Sequence, residues 1–149
     1  MVDEGRFYHV GLDIIVGEHE PLHAPLGGEV ARVGMDEGMG NFGGYVILRH
    51  ELGGVVFYSF YGHVQTPQVV KQGDSIVPGQ VFARIGAGRD SGGWFTHTHL
   101  QIITQAAMEQ KRYLQGYVTA ADLAHIEDLF PSPYPLFRVY AKRKAEASG

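Results

Sequence analysis

The sequence predicts a mainly β, antiparallel domain with a small helical appendage towards its C-terminal end. Three observations lead there. Short runs rich in Val, Ile, Tyr and Phe alternate with turn residues over the first two thirds of the chain. Glycine accounts for 21 of 149 residues, about twice its ordinary share, and it lies between those runs with no collagen-like period. Helical patterning arrives only late. With 44% hydrophobic and 19% charged residues, the chain can bury a core without disulfides or other staples.

The expected strands are Val10–Val16, Gly28–Val33, Tyr45–His50, Val55–Tyr61, Val81–Ile85 and Leu100–Thr104. Gly53-Gly54 reads as a hairpin turn, because such turns need the positive φ that glycine accepts. Pro78-Gly79 suits the central pair of a type II turn. The stretch 86–94 has four glycines and no period, and reads as a surface loop. Thr119 and Asp122 then resemble a capping box, after which Leu123, Ile126 and Phe130 share a helical face until Pro131, Pro133 and Pro135 end it. A second short helix is expected within 105–114. Residues 1–130 should form the domain, and 131–149 a Pro-containing extension with a polar, flexible tail from Ala141.

Composition narrows the function. The net charge is −4, and the basic block Lys142-Arg143-Lys144 stands alone near the end, so a nucleic-acid surface is not expected. The absence of Cys excludes a thiolate zinc site and a disulfide framework. No apolar run approaches the roughly 20 residues of a membrane helix. The polar start Asp3-Glu4-Gly5-Arg6 does not read as an export signal. The expected location is therefore cytoplasmic for a full-length chain, or the cell envelope or exterior for an excised mature domain. The sequence leaves the oligomeric state open.

Eight histidines remain to be sorted. His19, His23 and His125 lie among polar and turn residues and read as surface histidines, and His50 reads as a buried, hydrogen-bonded one. On a strand His9, Gly11 and Asp13 share a face, but full extension would part the Cα atoms of His9 and Asp13 by about 13 Å. One metal ion could join them only if the chain bends, and Gly11 permits a bend. His97 and His99 also share a face, with Cα atoms roughly 6–7 Å apart. That spacing suits two ligands, or one ligand beside an acid/base group. His63 follows Gly62 at a strand end, where a side chain is presented to a cleft.

Taken together, His9-x-x-x-Asp13, Tyr61-Gly62-His63 and His97-x-His99 resemble the lysostaphin-like (LytM-type) zinc endopeptidases, which cleave peptide cross-links of bacterial cell walls. The segments 21–30, 41–50 and 70–80 resemble the family's as well, so the likeness runs from about Arg6 to Ile103. It implies a two-sheet sandwich or barrel-like fold with a duplicated hybrid motif. It implies one zinc per chain, held by His9, Asp13 and His99, with His63 and His97 as catalytic, non-ligand histidines and His50 as structural. The implied substrate is a peptidoglycan stem or cross-bridge, or a related small peptide. Thr96, Thr98 and Gly62 depart from the family's usual Pro, Leu, and Ala or Ser, which bears on substrate preference more than on the metal. Ser91–Phe95 and the Pro-rich end resemble a subset embedded between kinase-like and aminotransferase domains. Two alternatives stand beside the enzyme. A binding or regulatory module would have lost ligands that this chain keeps. A biotinyl/lipoyl-like carrier is suggested by Gly73-Asp74 and Pro78-Gly79-Gln80, but it would need a hairpin-tip lysine that is missing.

Overall fold

A computed structural model describes residues 8–136. The chain runs β1 (Tyr8–His9), β2 (Leu12–Ile15), β3 (Pro21–His23), β4 (Gly28–Asp36), β5 (Gly43–Leu52), β6 (Val55–Gly62), β7 (Ser75–Ile76), β8 (Val81–Arg84) and β9 (His97–Thr104). It then forms α1 (Gln105–Glu109), β10 (Tyr117–Val118), α2 (Ala120–Leu123) and α3 (Ile126–Leu129). Six strands build one antiparallel sheet in the order β2-β9-β6-β5-β4-β7, flanked by the two-stranded pairs β1-β10 and β3-β8. The mainly β, antiparallel fold class is the one expected.

Both faces of this sheet are covered, which explains why β5 is buried from Gly43 to Leu48 with no polar alternation. Val46 and Leu48 point to one face, where they join Tyr61, Phe82, Leu100 and Ile102 beneath the β3-β8 pair. Tyr45 and Ile47 point to the other, with Phe60, Ile103, Ala107, Val118 and Phe130 under the helices. Leu136, past the last proline, is also buried in the first cluster. The Gly53-Gly54 hairpin forms as expected, with Leu52 opposite Val55. Gly79 takes φ +85 in a turn closed by Gln80 N donating to Val77 O at 3.1 Å, as the Pro-Gly pair predicted.

Two expectations need correction. The run Val10–Val16 is not one strand. It breaks at Gly11 (φ +84), so His9 on β1 pairs with Tyr117 of β10, while Asp13 on β2 pairs with His99 of the main sheet. The helix after Thr119 keeps its cap, since the Thr119 hydroxyl accepts from Asp122 N, but it divides at Ala124-His125 into α2 and α3. The reason is packing: Leu123 stays exposed while Leu129 and Phe130 are buried, so the last turn rotates to reach the core. The earlier short helix is α1, capped by the Thr104 hydroxyl accepting from Ala107 N at 3.1 Å. The polar tail from Ala141 lies outside the described residues. No helix among the described residues is long and apolar enough to cross a membrane.

Candidate metal centre

The centre is assembled where β2, β9 and the end of β6 meet. Antiparallel register sets Asp13 directly opposite His99 and Ile15 opposite His97, so Asp13, His97 and His99 share a face. The bend at Gly11 then folds β1 back over that face and brings His9 Nε2 to 3.4 Å from Asp13 Oδ2. Gly11 is required twice there. It has a positive φ, and an added Cβ would stand 2.5 Å from Leu100 O and 2.9 Å from His99 Nε2.

His63 ends β6 in the left-handed region, at φ +61, which costs a non-glycine residue of order 1–3 kcal/mol and persists only where the surroundings enforce it. They do: its N donates to Phe42 O at 2.8 Å and its O accepts from Gly86 N at 2.9 Å. The twist turns the ring back against His97, with ring centroids 4.3 Å apart. Phe42 packs behind both rings, its own ring 5.8 Å from His63 and 5.0 Å from His99. An added Cβ at Gly62 would lie 2.8 Å from Phe42 Cδ1, which accounts for the departure from Ala or Ser at this position.

Hydrogen bonds fix the protons. Carbonyl oxygens only accept, so the Nδ1–H of His63 donates to Ser91 O at 2.9 Å and that of His97 donates to Phe95 O at 2.7 Å. In the neutral rings both Nε2 atoms are lone pairs, and His97 Nε2 lies 3.7 Å from Asp13 Oδ1. His99 Nδ1 is 3.0 Å from the same oxygen. Burial pushes the His63 pKa down to about 4, reinforced by the neighbouring His97 and His99. Burial also lowers His9, against the upward pull of Asp13.

His9, Asp13 and His99 offer three ligand atoms that all lie within 4.8 Å of one another, a group that could hold a metal ion. The cleft over them is walled by Asp36 and Gly40 to Phe42, by Trp94 and Phe95, and by Leu114, Gly116 and Tyr117. His50 stands outside it, 1% exposed, its Nδ1–H donating to Gly27 O at 2.8 Å while Nε2 accepts from the Ser59 hydroxyl at 2.7 Å. His19, His23 and His125 are exposed and apart from the cluster. Two residues at the centre were not anticipated: Tyr117 on the cleft wall and Gln101, buried beneath His99. Strand alternation from His99 could have pointed to Gln101; nothing local signals Tyr117.

The sequence model of Peptidase family M23 matches residues 7–112, and all five clustered side chains lie within the match. The chain belongs to peptidase family M23. Solved structures agree on the fold of this M23 domain. It is similar to the catalytic domain of a mutant of EnpA, a prophage-encoded M23 protein from Enterococcus faecalis, with TM-score 0.53 and 22% identity over 65% of this chain and 68% of that one. It is similar to LytU, with TM-score 0.55 and 23% identity over 81% of this chain and 74% of that one. The catalytic domain of the antimicrobial peptidase lysostaphin from Staphylococcus simulans gives TM-score 0.49 and 26% identity, over 65% of this chain and 67% of that one. No curated protein matches this M23 domain.

Proposed function

We propose that this M23 peptidase is a zinc-dependent metalloendopeptidase whose substrate is a peptide cross-link of bacterial peptidoglycan or a related small peptide. One observation carries the zinc reading. The Asp13 carboxylate is faced by three imidazole nitrogens, from His9, His97 and His99, at 3.4, 3.7 and 3.0 Å. Where these nitrogens are lone pairs, acceptor faces acceptor, and a cation relieves the clash. Two imidazoles and one carboxylate match the donor set of a catalytic zinc, with the fourth position left for water or substrate.

His9, Asp13 and His99 would hold the ion. Zinc bound there supplies Lewis-acid polarisation of the scissile carbonyl and a lowered pKa for the attacking water. The chain's own part is proton handling. His63 and His97 keep their Nδ1 protons on backbone carbonyls, so each presents Nε2 to the cleft as an acceptor in the neutral ring. His63 is neutral at pH 7 and can take the water proton at Nε2, and that proton can then pass to the leaving amine; His97, once protonated at Nε2, would hydrogen-bond the developing oxyanion. The exposed Trp94 and Phe95 at the rim offer apolar surface to a peptide crossing the cleft.

The test is metal content together with digestion of purified peptidoglycan. The expected result is one zinc per chain and release of cross-bridge or stem peptides, with both lost in His99→Ala. A wild-type chain with no stoichiometric zinc, or a His99→Ala chain that binds it equally well, overturns the reading.

A further inference from the structure

Residues 113–136 lie beyond the stretch that matches the family, yet part of that stretch is connected to the metal centre. His99 Nε2 meets Gln101 Oε1 at 2.8 Å, and the Gln101 amide nitrogen donates to the Gln115 carbonyl at 2.9 Å. The second bond decides the first. A carbonyl can only accept, so Gln101 must aim its NH2 at Gln115 and its oxygen at His99. That oxygen requires a proton on His99 Nε2, which leaves Nδ1 free to face Asp13. Gln101 is 1% exposed and His99 2%, so bulk water does not compete for either group.

The anchor is itself braced. Arg112 Nε donates to Gln115 Oε1 at 2.7 Å, its guanidinium pairs with Asp122 at 2.8 Å, and Gln115 Nε2 donates to Tyr117 O at 3.0 Å. The next residue, Gly116, accepts from Val10 N at 2.9 Å, and β10 pairs with β1. One short segment therefore supports the side chain behind His99 and the strand that carries His9.

We propose that Gln101, anchored on the Gln115 carbonyl, is a positioning residue that makes Nδ1 the metal-facing nitrogen of His99. The proposal rests on the reading of His99 as a zinc ligand. It predicts that removing the acceptor weakens the metal site without touching a ligand, as loss of such outer partners does elsewhere.

The experiment compares wild type, Gln101→Leu and Gln101→Glu by zinc affinity, measured in competition with a chromophoric chelator on chains shown to be folded. Gln101→Leu should lose about 10–100-fold in affinity. Gln101→Glu keeps an acceptor for the Nε2 proton but loses the donor to the Gln115 carbonyl, so its affinity should fall between those of Gln101→Leu and the wild type. In zinc-loaded wild type, 15N NMR should find the His99 proton on Nε2. Wild-type affinity in Gln101→Leu, or a His99 proton on Nδ1 in the wild type, overturns the proposal alone. Should Gln101→Leu fail to fold, the wild-type NMR still decides. A wild type that takes up no zinc overturns the zinc reading and this proposal with it.

Discussion

The interior and the edge of the sheet contribute differently to the same centre. His63, His97 and His99 are 4%, 3% and 2% exposed, and each has one ring nitrogen engaged by a backbone carbonyl or by Gln101. His9 and Asp13 have side chains 37% and 36% exposed and stand on either side of the bend at the sheet's edge. The interior half has its tautomers set before any ligand arrives, so no reorganisation is left for the reaction. The edge half is the open one, the side from which an ion or a peptide would enter. On the proposed reading the site combines two preorganised proton carriers, His63 and His97, and one fixed ligand, His99, with two ligands that can adjust, and carriers and ligands should fail in different ways when altered.

The largest effect should separate them outright. His63→Ala and His97→Ala are expected to lower kcat/KM by about 10²–10⁴-fold, the range for loss of a positioned acid or base, while keeping one zinc per chain. His9→Ala and Asp13→Ala should instead lose the zinc and the activity together. Metal analysis beside peptidoglycan digestion reads both. If His63→Ala also lost its metal, the division between carriers and ligands would be wrong.

Gly11→Ala tests the bend that joins the halves. The new Cβ would meet Leu100 O at 2.5 Å in a backbone conformation that disfavours any side chain. The expected cost is about 1–3 kcal/mol, read by urea denaturation with chelator present. Zinc affinity should fall as well, because β1 must shift to relieve the contact. A variant of wild-type stability would mean that the bend is adaptable after all.

How much of this was legible in the sequence follows from how locally each feature is specified. The strands β4, β5, β6 and β9 carry enough alternation or apolar length to be read directly, and the same period of two placed His97 and His99 on one face. The pairs β3-β8 and β1-β10 involve strands as short as two or three residues, too few to show a period, and they form because distant segments supply the partner. The His9–Asp13 spacing demanded a bend, and Gly11 supplied it. Tyr117 could not be read, because what makes it part of the centre is packing across the fold: β10 pairs with β1 and sets Tyr117 against His9. The division of the last helix was likewise decided by burial of Leu129 and Phe130 over the periodic face.

Acid should destabilise the metal-free fold, and buried His63 should carry much of the effect. With its pKa depressed to about 4 in the fold and near 6.5 when unfolded, His63 stays neutral in the folded chain while the unfolded chain binds a proton. The stability this neutral ring contributes is present above about pH 6.5 and is lost as pH falls towards 4. Buried His50 shifts in the same direction and adds to the trend. Denaturation of the metal-free protein should therefore need less urea at pH 5 than at pH 7, with a slope of up to about 1.4 kcal/mol per pH unit for each such histidine. His63→Gln should flatten that slope. An unchanged slope would show that His63 titrates normally in the fold.

The smallest effect belongs to the contact that steadies His9. Tyr117 packs edge-on against the His9 ring, with centroids 5.5 Å apart and planes at 69°. Aromatic pairs of this geometry contribute about 0.5–1.5 kcal/mol beyond their buried area, and Tyr117 is half exposed, so the low end applies. Tyr117→Ala should weaken zinc binding a few-fold and leave the depressed His63 pKa untouched, whereas Tyr117→Phe should behave as wild type. Chelator competition measures the first, and NMR titration of the His63 ring the second. A Tyr117→Ala chain that shifted His63 would show that edge and interior are coupled through the cleft wall, and that the two halves do not act independently.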